Sequence, residues 1–294
     1  MGEIVIKSAR INLAFRYSLL KHIYSLFLEQ RRGGTVIKPL FFVFPEFDAG
    51  LEQNVLESQM MLGKKIMIGV MGETNEKEFI LPDGIKWYYV NRKKWVGGRV
   101  KVINEAEELA PVFMREGSVV MRQRWEEGTV EELGEKFKMN VFLEMEPKNY
   151  KEEMLMEGKE EVHLQAQGMV SGIGDLKEQN VEKYCWEEED NCLVDFYVKV
   201  RLSQHAFQVS VRFKWRNKGI PKKIKNDGEK FISIEQINLY GLLLTNPILS
   251  VIFLMNGEVK GKVRMMKVKK GKCLKVKFDR PVVIDEDGEI ELKI

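Results

Sequence analysis

The first strongly patterned segment of the chain is apolar on nearly every side of a helix. Residues 11–30 carry apolar side chains at almost every helical position, which predicts a helix over this range. A helix that is apolar all round is expected to be buried all round. The basic pair Arg31-Arg32 and then Gly33-Gly34 predict where it stops, since basic residues complement the C-terminal dipole and glycine ends helices.

A near-continuous apolar run follows at residues 36–45. Such a run predicts a strand covered on both faces, as in parallel α/β sheets, with pairing after Pro39 because proline has no N–H to donate. No further alternation of strands and helices follows. The helix and strand therefore look like a fragment of an α/β fold. We expect the rest of the chain to cover one face of the helix and a segment outside this chain to cover the others.

After Asp48 the pattern changes to short strands between turn signals, which is typical of an antiparallel sandwich. The predicted strands are residues 65–70, 78–81, 87–90, 99–103, 112–114 and 118–121.

A longer β-rich region begins near residue 136. Residues 192–202 and 207–215 alternate apolar and polar side chains, and Ser203-Gln204 between them predicts a hairpin. Later turns are predicted at Asn256-Gly257 and Asp287-Gly288, and residues 219–230 are predicted to form an exposed loop. The fold class is therefore mainly β. Its predicted domains are residues 1–48 (the helix–strand fragment), 49–124 (a first sandwich) and 125–294 (a larger one).

Composition narrows the functional classes. The 294 residues predict about two domains, and 44% hydrophobic against 31% charged residues indicate a globular protein with real cores. Lys+Arg is 47 and Asp+Glu is 44, a net charge of +3, which is too balanced for an electrostatic nucleic-acid binder. The start carries no apolar signal segment, and residues 240–255 are too short to span a bilayer. We therefore expect no nucleic-acid partner and no membrane partner.

The residue types and their spacing give little indication of a catalytic or binding site. The three cysteines, Cys185, Cys192 and Cys273, form no C-x-x-C pair, and three histidines are too few and too scattered for most metal or triad sites. Residues 172–175 resemble half a phosphate loop and are interpreted as a turn. The acidic residues 187–190 are interpreted as a hairpin tip. Cys185 and Cys192 flank that tip, and a disulfide and two free thiols both stay open. We predict no catalytic, cofactor-binding or metal-binding residue in this chain.

Two surfaces admit two interpretations each. The lysine-rich residues 260–277 are either the solvated face of an antiparallel sheet, which we favour, or a surface for anionic ligands. Trp87, Tyr88, Tyr89 and Trp95 either close the first sandwich, which we favour, or stack on sugars. His22 is interpreted as a core histidine with satisfied hydrogen bonds, while His163 and His205 lie near strand ends.

Five short segments, in order along the chain, carry a resemblance to a known family. They are RYSLLKHIY (16–24), VIKPLFFVFP (36–45), QMMLGKKIMI (59–68), LPDGIKWY (81–88) and PVFMREGS (111–118). These resemble the R-Y-x-L-L-P-Y-x-Y, V-x-R-P-L-F-F-E-F-P, Q-F-L-L-G, L-P-x-G-x-W-Y and P-V-F-x-R-G-G-S motifs of glycoside hydrolase family 31, the α-glucosidases. Residues 231–241 and the lysine-rich strands after them resemble the family's distal C-terminal sandwich. Trp125 and the tail 280–292 are similar to the subgroup of endoplasmic-reticulum glucosidase II α-subunits.

Four positions depart from the family motifs: Lys21, Lys38, Val43 and Glu116. Lys38 and Val43 replace an arginine and a glutamate near the place where the family's barrel opens. Both an unchanged pocket and a changed or relaxed one there stay open.

The resemblance implies a fold and a reaction. Residues 1–48 would be the last helix and strand of a catalytic (β/α)₈ barrel, followed by two sandwiches. The family hydrolyses O-glycosyl bonds with retention, using two aspartates. Both lie on barrel strands before the helix that contains Arg16 and Tyr17, so we expect this chain to be inactive alone. This would make it a truncated gene model, a split gene or a degenerate copy.

The resemblance also implies partners and a compartment. The expected partner is the missing N-terminal and barrel part of the same enzyme, through which an α-glucoside or glycan substrate would be reached. A glucosidase II-type β-subunit is a further expected partner. The compartment would be the endoplasmic reticulum or another secretory compartment. The alternative functions are a non-catalytic carbohydrate-binding or interaction module, and a cytosolic β-protein with chance motif matches.

Overall fold

The computed structural model describes residues 2–30, 34–105, 108–123, 136–144, 161–171, 193–203, 207–215, 232–241, 252–262, 264–267, 273–284 and 287–293. The chain folds as two compact units, residues 1–116 and 117–294. Within the described residues, no helix is both long enough and apolar enough to cross a membrane. The domain boundaries predicted after residues 48 and 124 stay predictions.

The first unit begins with helices and continues as short strands. Its helices are α1 (Gly2–Ser18), α2 (Leu20–Glu29), α3 (Leu40–Val43) and α4 (Gln53–Ser58), with a 3₁₀ turn at Asp48–Leu51. Its strands are β1 (Ile37–Pro39), β2 (Gln59–Leu62), β3 (Ile66–Gly69), β4 (Glu76–Ile80), β5 (Trp87–Tyr89), β6 (Lys94–Val96), β7 (Arg99–Ile103) and β8 (Val112–Arg115).

Two antiparallel sheets organise these strands. One has the order β1-β2-β3-β8-β5-β6, and the other pairs β4 with β7. The core between them is built from Leu40, Val55, Met61, Met67, Phe79, Trp87 and Phe113, all buried, with neighbours of the same kind. Gly69 is required here because a Cβ on it would lie 2.4 Å from Cε1 of Phe79. The strands predicted from residues 65–121 are confirmed, and β2, β6 and α4 are additional elements.

The prediction of a single helix over residues 11–30 is wrong in its bounds and in its continuity. The helix starts earlier, at Gly2, and divides at Leu19, whose φ is −100° and ψ 2°. Ser18 Oγ donates to the carbonyl of Phe15 at 2.7 Å, a local bond that competes with the helical ladder. Within α2, His22, Ser25, Leu26 and Leu28 are buried, while Phe27 and Glu29 are exposed. Most of α1 is exposed.

The prediction of a doubly buried strand at residues 36–45 is also wrong. Only Ile37–Pro39 is a strand, and it pairs antiparallel with β2, with Ile37 opposite Leu62. The chain then turns into α3, where the amide of Phe44 donates to the carbonyl of Leu40 at 2.9 Å. A short apolar run cannot distinguish a buried strand from a helical turn. The parallel pairing of a barrel strand is absent at β1, so the barrel remnant is not visible in these pairings.

The described residues of the second unit form one sheet of eleven strands. They are β9 (Ser118–Gln123), β10 (Lys136–Phe142), β11 (Glu161–Ser171), β12 (Leu193–Ser203), β13 (Phe207–Trp215), β14 (Ile232–Tyr240), β15 (Ile252–Met255), β16 (Glu258–Lys262), β17 (Arg264–Lys267), β18 (Cys273–Ile284) and β19 (Gly288–Lys293). Their order is β16-β15-β19-β13-β12-β11-β9-β10-β14-β18-β17. The pairings are antiparallel except β10 with β14 and β9 with β11.

The predicted hairpin and its alternation are confirmed. Leu202 lies opposite Phe207 and Val194 opposite Trp215. The alternate apolar residues whose side chains are described, from Val194 to Val200 and from Val209 to Phe213, are buried in one core that also takes side chains from β9, β10, β14, β18 and β19. Because strands from both halves of the sheet order share this core, the sheet folds over on itself. Asn256 and Gly257 have φ of 51° and 82°, the positive values that a tight hairpin turn between β15 and β16 requires.

Several predicted features lie outside the described residues. They are Trp125, the turn at 172–175, Cys185, the acidic residues 187–190, Cys192, His205 and the loop 219–230; of His163 only the backbone, in β11, is described.

Candidate interaction surface

Helix α1 turns a polar side chain toward its own unit. Nδ2 of Asn12 donates to the carbonyls of Ser8 at 2.9 Å and Glu108 at 3.5 Å, and Oδ1 of Asn12 accepts from the amide of Ala110 at 3.0 Å. Glu108 is itself fixed by a two-pronged ion pair, with its oxygens 2.7 and 3.1 Å from Arg92. Hydrogen bonds therefore attach α1 to the segment at residues 108–110.

The remaining sides of α1 present apolar side chains to solvent. Residues seven apart share a side of a helix, so Ile4 and Ile11 form one stripe, and Ile6 and Leu13 form another. With Val5 these side chains are 41–60% exposed. A helix that packs on its parent protein normally shows the reverse arrangement, with the apolar side inward. We call Ile4, Val5, Ile6, Ile11 and Leu13 the α1 apolar surface.

Exposed apolar side chains concentrate near this helix in sequence. Of the fourteen large hydrophobic residues that the described parts leave exposed, ten lie within the first 56 residues. The five beyond α1 are Phe27, Ile37, Phe42, Leu51 and Leu56. Single exposed apolar residues are normal, but such a concentration is typical of an interaction site.

His22 marks the buried side of α2. It has no exposed surface, and neither ring nitrogen has a hydrogen-bond partner among the described residues. Burial, with a smaller contribution from the charge of Lys65, lowers the pKa of His22 to about 3. The ring is therefore neutral at physiological pH. The prediction of a core histidine is confirmed, but its hydrogen bonds are not satisfied, and in that respect the interpretation is wrong.

The aromatic residues considered for sugar stacking lie inside the first unit. Trp87, Tyr88 and Tyr89 are buried. Tyr89 stacks on Phe113 with ring centres 4.8 Å apart, and Trp95, which is half-buried, meets Tyr88 edge-on at 5.5 Å. The favoured interpretation, that these rings close the unit, is confirmed. The sugar-stacking interpretation is wrong for the three buried rings.

Gln59 has a role that the sequence did not reveal. It is buried, its Nε2 donates to the carbonyl of Ile80 at 2.8 Å, and its Oε1 accepts from the amide of Ile80 at 2.9 Å. The side chain thus mimics a backbone group and joins β2 to β4. The only signal for it is a glutamine at the start of an apolar strand.

The departures from the family motifs do not converge on one described site. Lys38 lies in β1 opposite Met61, while Val43 packs against the core of the first unit. Oε1 of Glu116 accepts from the amide of Lys86 at 2.5 Å, so Glu116 fixes a turn. Within the described residues, no group of three or more metal-ligating side chains comes together. Cys273 is buried, and burial raises the pKa of its thiol to about 11.

Comparison with known proteins identifies part of the first unit. Residues 33–120 match the family described as the glycosyl hydrolase family 31 C-terminal domain. A probable glucan 1,3-α-glucosidase of Arabidopsis thaliana is 31% identical over 112 residues, 37% of this chain and 12% of that protein. An α-xylosidase of Saccharolobus solfataricus is 32% identical over 124 residues, 40% of this chain and 16% of that protein.

Solved structures share the fold over nearly the whole chain. A family 31 dextranase of Flavobacterium johnsoniae matches 96% of this chain with a TM-score of 0.62 at 15% identity, and this chain covers 32% of it. A glucosidase II α-subunit matches 95% with a TM-score of 0.60 at 16% identity, and this chain covers 28% of it.

The chain thus spans about a third or less of these relatives and structures. The family match at residues 33–120 includes four of the five motifs, so this segment of the chain is identified as a glycosyl hydrolase family 31 C-terminal domain.

Proposed function

We propose that this chain is the C-terminal portion of a retaining α-glucosidase-type glycoside hydrolase that hydrolyses O-glycosyl bonds of α-glucosides or glycans. Its own part would be structural: to complete and brace a catalytic part that lies outside residues 1–294. The observation that carries the proposal is the α1 apolar surface, whose side chains the described residues leave 41–60% exposed. The relatives named above, which are several times longer, support it.

The burial of the α1 apolar surface gives a reason for the two parts to associate. Burying a large aliphatic side chain stabilises an assembly by roughly 1.5–3 kcal/mol. The five side chains of this surface are only 41–60% exposed, so each gains part of that amount on contact. Several such contributions together are enough to keep two parts of an enzyme associated.

The proposed reaction requires two carboxyl groups about 5–5.5 Å apart. One attacks the anomeric carbon and forms a glycosyl–enzyme bond as the leaving oxygen departs. The other gives that oxygen a proton and then takes a proton from the water that hydrolyses the intermediate. Under the proposal both belong to the catalytic part. The purified chain alone therefore releases no glucose from maltose or from a nitrophenyl α-glucoside.

The test combines genomic sequence with reconstitution. The DNA adjoining the Met1 codon is translated, and any frame that encodes a (β/α)₈ barrel is co-expressed with this chain. We expect hydrolysis of nitrophenyl α-glucoside by the pair. We also expect its loss when Ile6 and Leu13 of this chain are both changed to Ser. The matched control changes Val70 and Ile103, exposed apolar residues outside α1, to Ser and retains activity.

Three results would refute the proposal. The first is glucose release by the chain alone. The second is a genome with no barrel-encoding frame beside the gene. The third is a pair in which the α1 double variant is as active as the control.

A further inference from the structure

Helix α2 packs directly on the turn between β2 and β3. A Cβ added to Gly63 in that turn would lie 2.7 Å from Cδ2 of Leu26, so the helix and the backbone of the turn are in close contact. The φ of Gly63 is 63°, a value that favours glycine. The amide of Gly63 also donates to the carbonyl of Val36 at 2.8 Å, which fixes the turn in place. Leu26 therefore marks the side of α2 that rests on the turn.

His22 lies on this same side of the helix, one turn before Leu26. Residues four apart on a helix are neighbours on its surface, and both of these side chains are buried. Lys65 belongs to the connection between β2 and β3, and its charge acts on the ring of His22. His22 therefore faces the turn as Leu26 does.

The described surroundings of His22 favour the neutral ring. Burial comes first and the charge of Lys65 second among the causes that lower the pKa of His22 to about 3, and no carboxylate among the described residues opposes them. On α2 itself, Lys21 precedes the ring and Tyr24 follows it, while the acidic Glu29 is exposed two turns further on. The packed position on the turn is thus available to the neutral ring and costly for the protonated one.

Helix α2 can leave the turn without disrupting a sheet. Within the described residues, no strand pairing of the first unit involves residues 2–30. The break at Leu19 separates α2 from α1, so α2 can move without carrying α1 along as one rigid helix. A helix of ten residues is marginal in water without tertiary packing. Once detached, α2 is therefore expected to lose its helical hydrogen bonds.

We propose that α2 is an acid-sensitive element, which packs on the β2–β3 turn while His22 is neutral and detaches when His22 takes up a proton. A histidine ring in water takes up a proton near pH 6.5, about three pH units before the packed ring does. Acid therefore favours the detached state, which is the first to bind the proton. The equilibrium constant for detachment should rise about 25-fold between pH 7 and pH 5.

Detachment of α2 has a consequence for the α1 apolar surface, which directly precedes α2 in the chain. Under the proposed function, acid would loosen the base of this surface and weaken the association with the catalytic part. That consequence rests on the proposed function, whereas the detachment of α2 does not. The test therefore uses the purified chain alone, and its failure would leave the proposed function untouched.

Hydrogen exchange of the full chain at pH 7 and pH 5 tests the proposal, with rates corrected for the intrinsic pH dependence of exchange. Exchange in α2 reports detachment, and exchange in the buried strand β5 reports unfolding of the core. We expect the corrected rate of α2 to rise about 25-fold between pH 7 and pH 5. We also expect α2 to exchange faster than β5 at both pH values, because its opening is local.

Two variants assign the effect to His22. His22→Phe keeps a buried ring that cannot take up a proton, and it should remove most of the rise in α2. The matched control, Glu29→Gln, removes an exposed titratable group from the same helix and should retain the full rise.

Equal corrected rates for α2 and β5 at pH 5 would overturn the proposal, because the opening would then be that of the whole unit. So would a rate of α2 that does not change between pH 7 and pH 5, or a rise in His22→Phe as large as in the wild type. The comparison of α2 with β5 in the wild type decides the question even if His22→Phe fails to fold.

Discussion

Helix α1 and the hairpin of β12 and β13 are both rich in apolar residues, yet the hairpin buries them and α1 leaves many of them exposed. The hairpin alternates, and its own sheet buries the apolar side, with Phe196 and Val211 at no measurable exposure. Helix α1 carries apolar residues on several sides, and its contacts with the rest of the unit include the hydrogen bonds of Asn12. A half-apolar strand needs one covered face, which a sheet supplies. A helix that is apolar on several sides needs neighbours on each of them.

The largest expected effect is in the hairpin. Phe196→Ala removes a fully buried ring from the core and should lower the free energy of unfolding by about 4 kcal/mol, through lost burial and the cavity left behind. Urea denaturation measures it. Tyr197→Ala, one residue on and exposed, should change stability by less than about 0.5 kcal/mol. Similar losses for the two variants would contradict the assigned faces of β12.

A smaller effect, dependent on pH, is expected at His22. Its pKa is lowered to about 3 in the folded chain, against about 6.5 unfolded, so the unfolded chain takes up a proton first. The stability contributed by neutral His22 is complete above pH 6.5 and is lost as pH falls toward 3. Between pH 7 and pH 5 the loss is roughly 2 kcal/mol.

The variant His22→Phe should lack this part of the pH dependence while filling the same space. Urea denaturation of both proteins at pH 7, 6 and 5 measures the difference. If the free energy of unfolding changed with pH by the same amount in the wild type and the variant, His22 would be solvated or partnered in the folded state.

The smallest effect concerns the inverted arrangement of α1. Asn12→Ala leaves the amide of Ala110 without its acceptor and should destabilise the chain by about 1 kcal/mol. Ile6→Ala, on an exposed side of the helix, should change stability by less than about 0.5 kcal/mol. Thermal unfolding of the isolated chain compares them. A larger loss for Ile6→Ala would mean that α1 packs through its apolar side.

The sequence predicted the positions of strands better than the contacts that their side chains make. Period-two alternation located β12 and β13, and turn residues located β7 between its neighbours, because these signals are local. The run 40–44 was misassigned because five consecutive apolar residues fit a strand and a helical turn equally well. The role of Gln59 and the partnerless ring of His22 depend on residues distant in sequence, and no local pattern reports them.

The hydrogen bonds of Asn12 have one more consequence. They fix the direction of α1 through polar groups and leave its apolar sides exposed. The helix is therefore already oriented before a partner binds. A docking element that is ordered in advance loses little conformational entropy on contact, and more of the gain from burial remains as affinity.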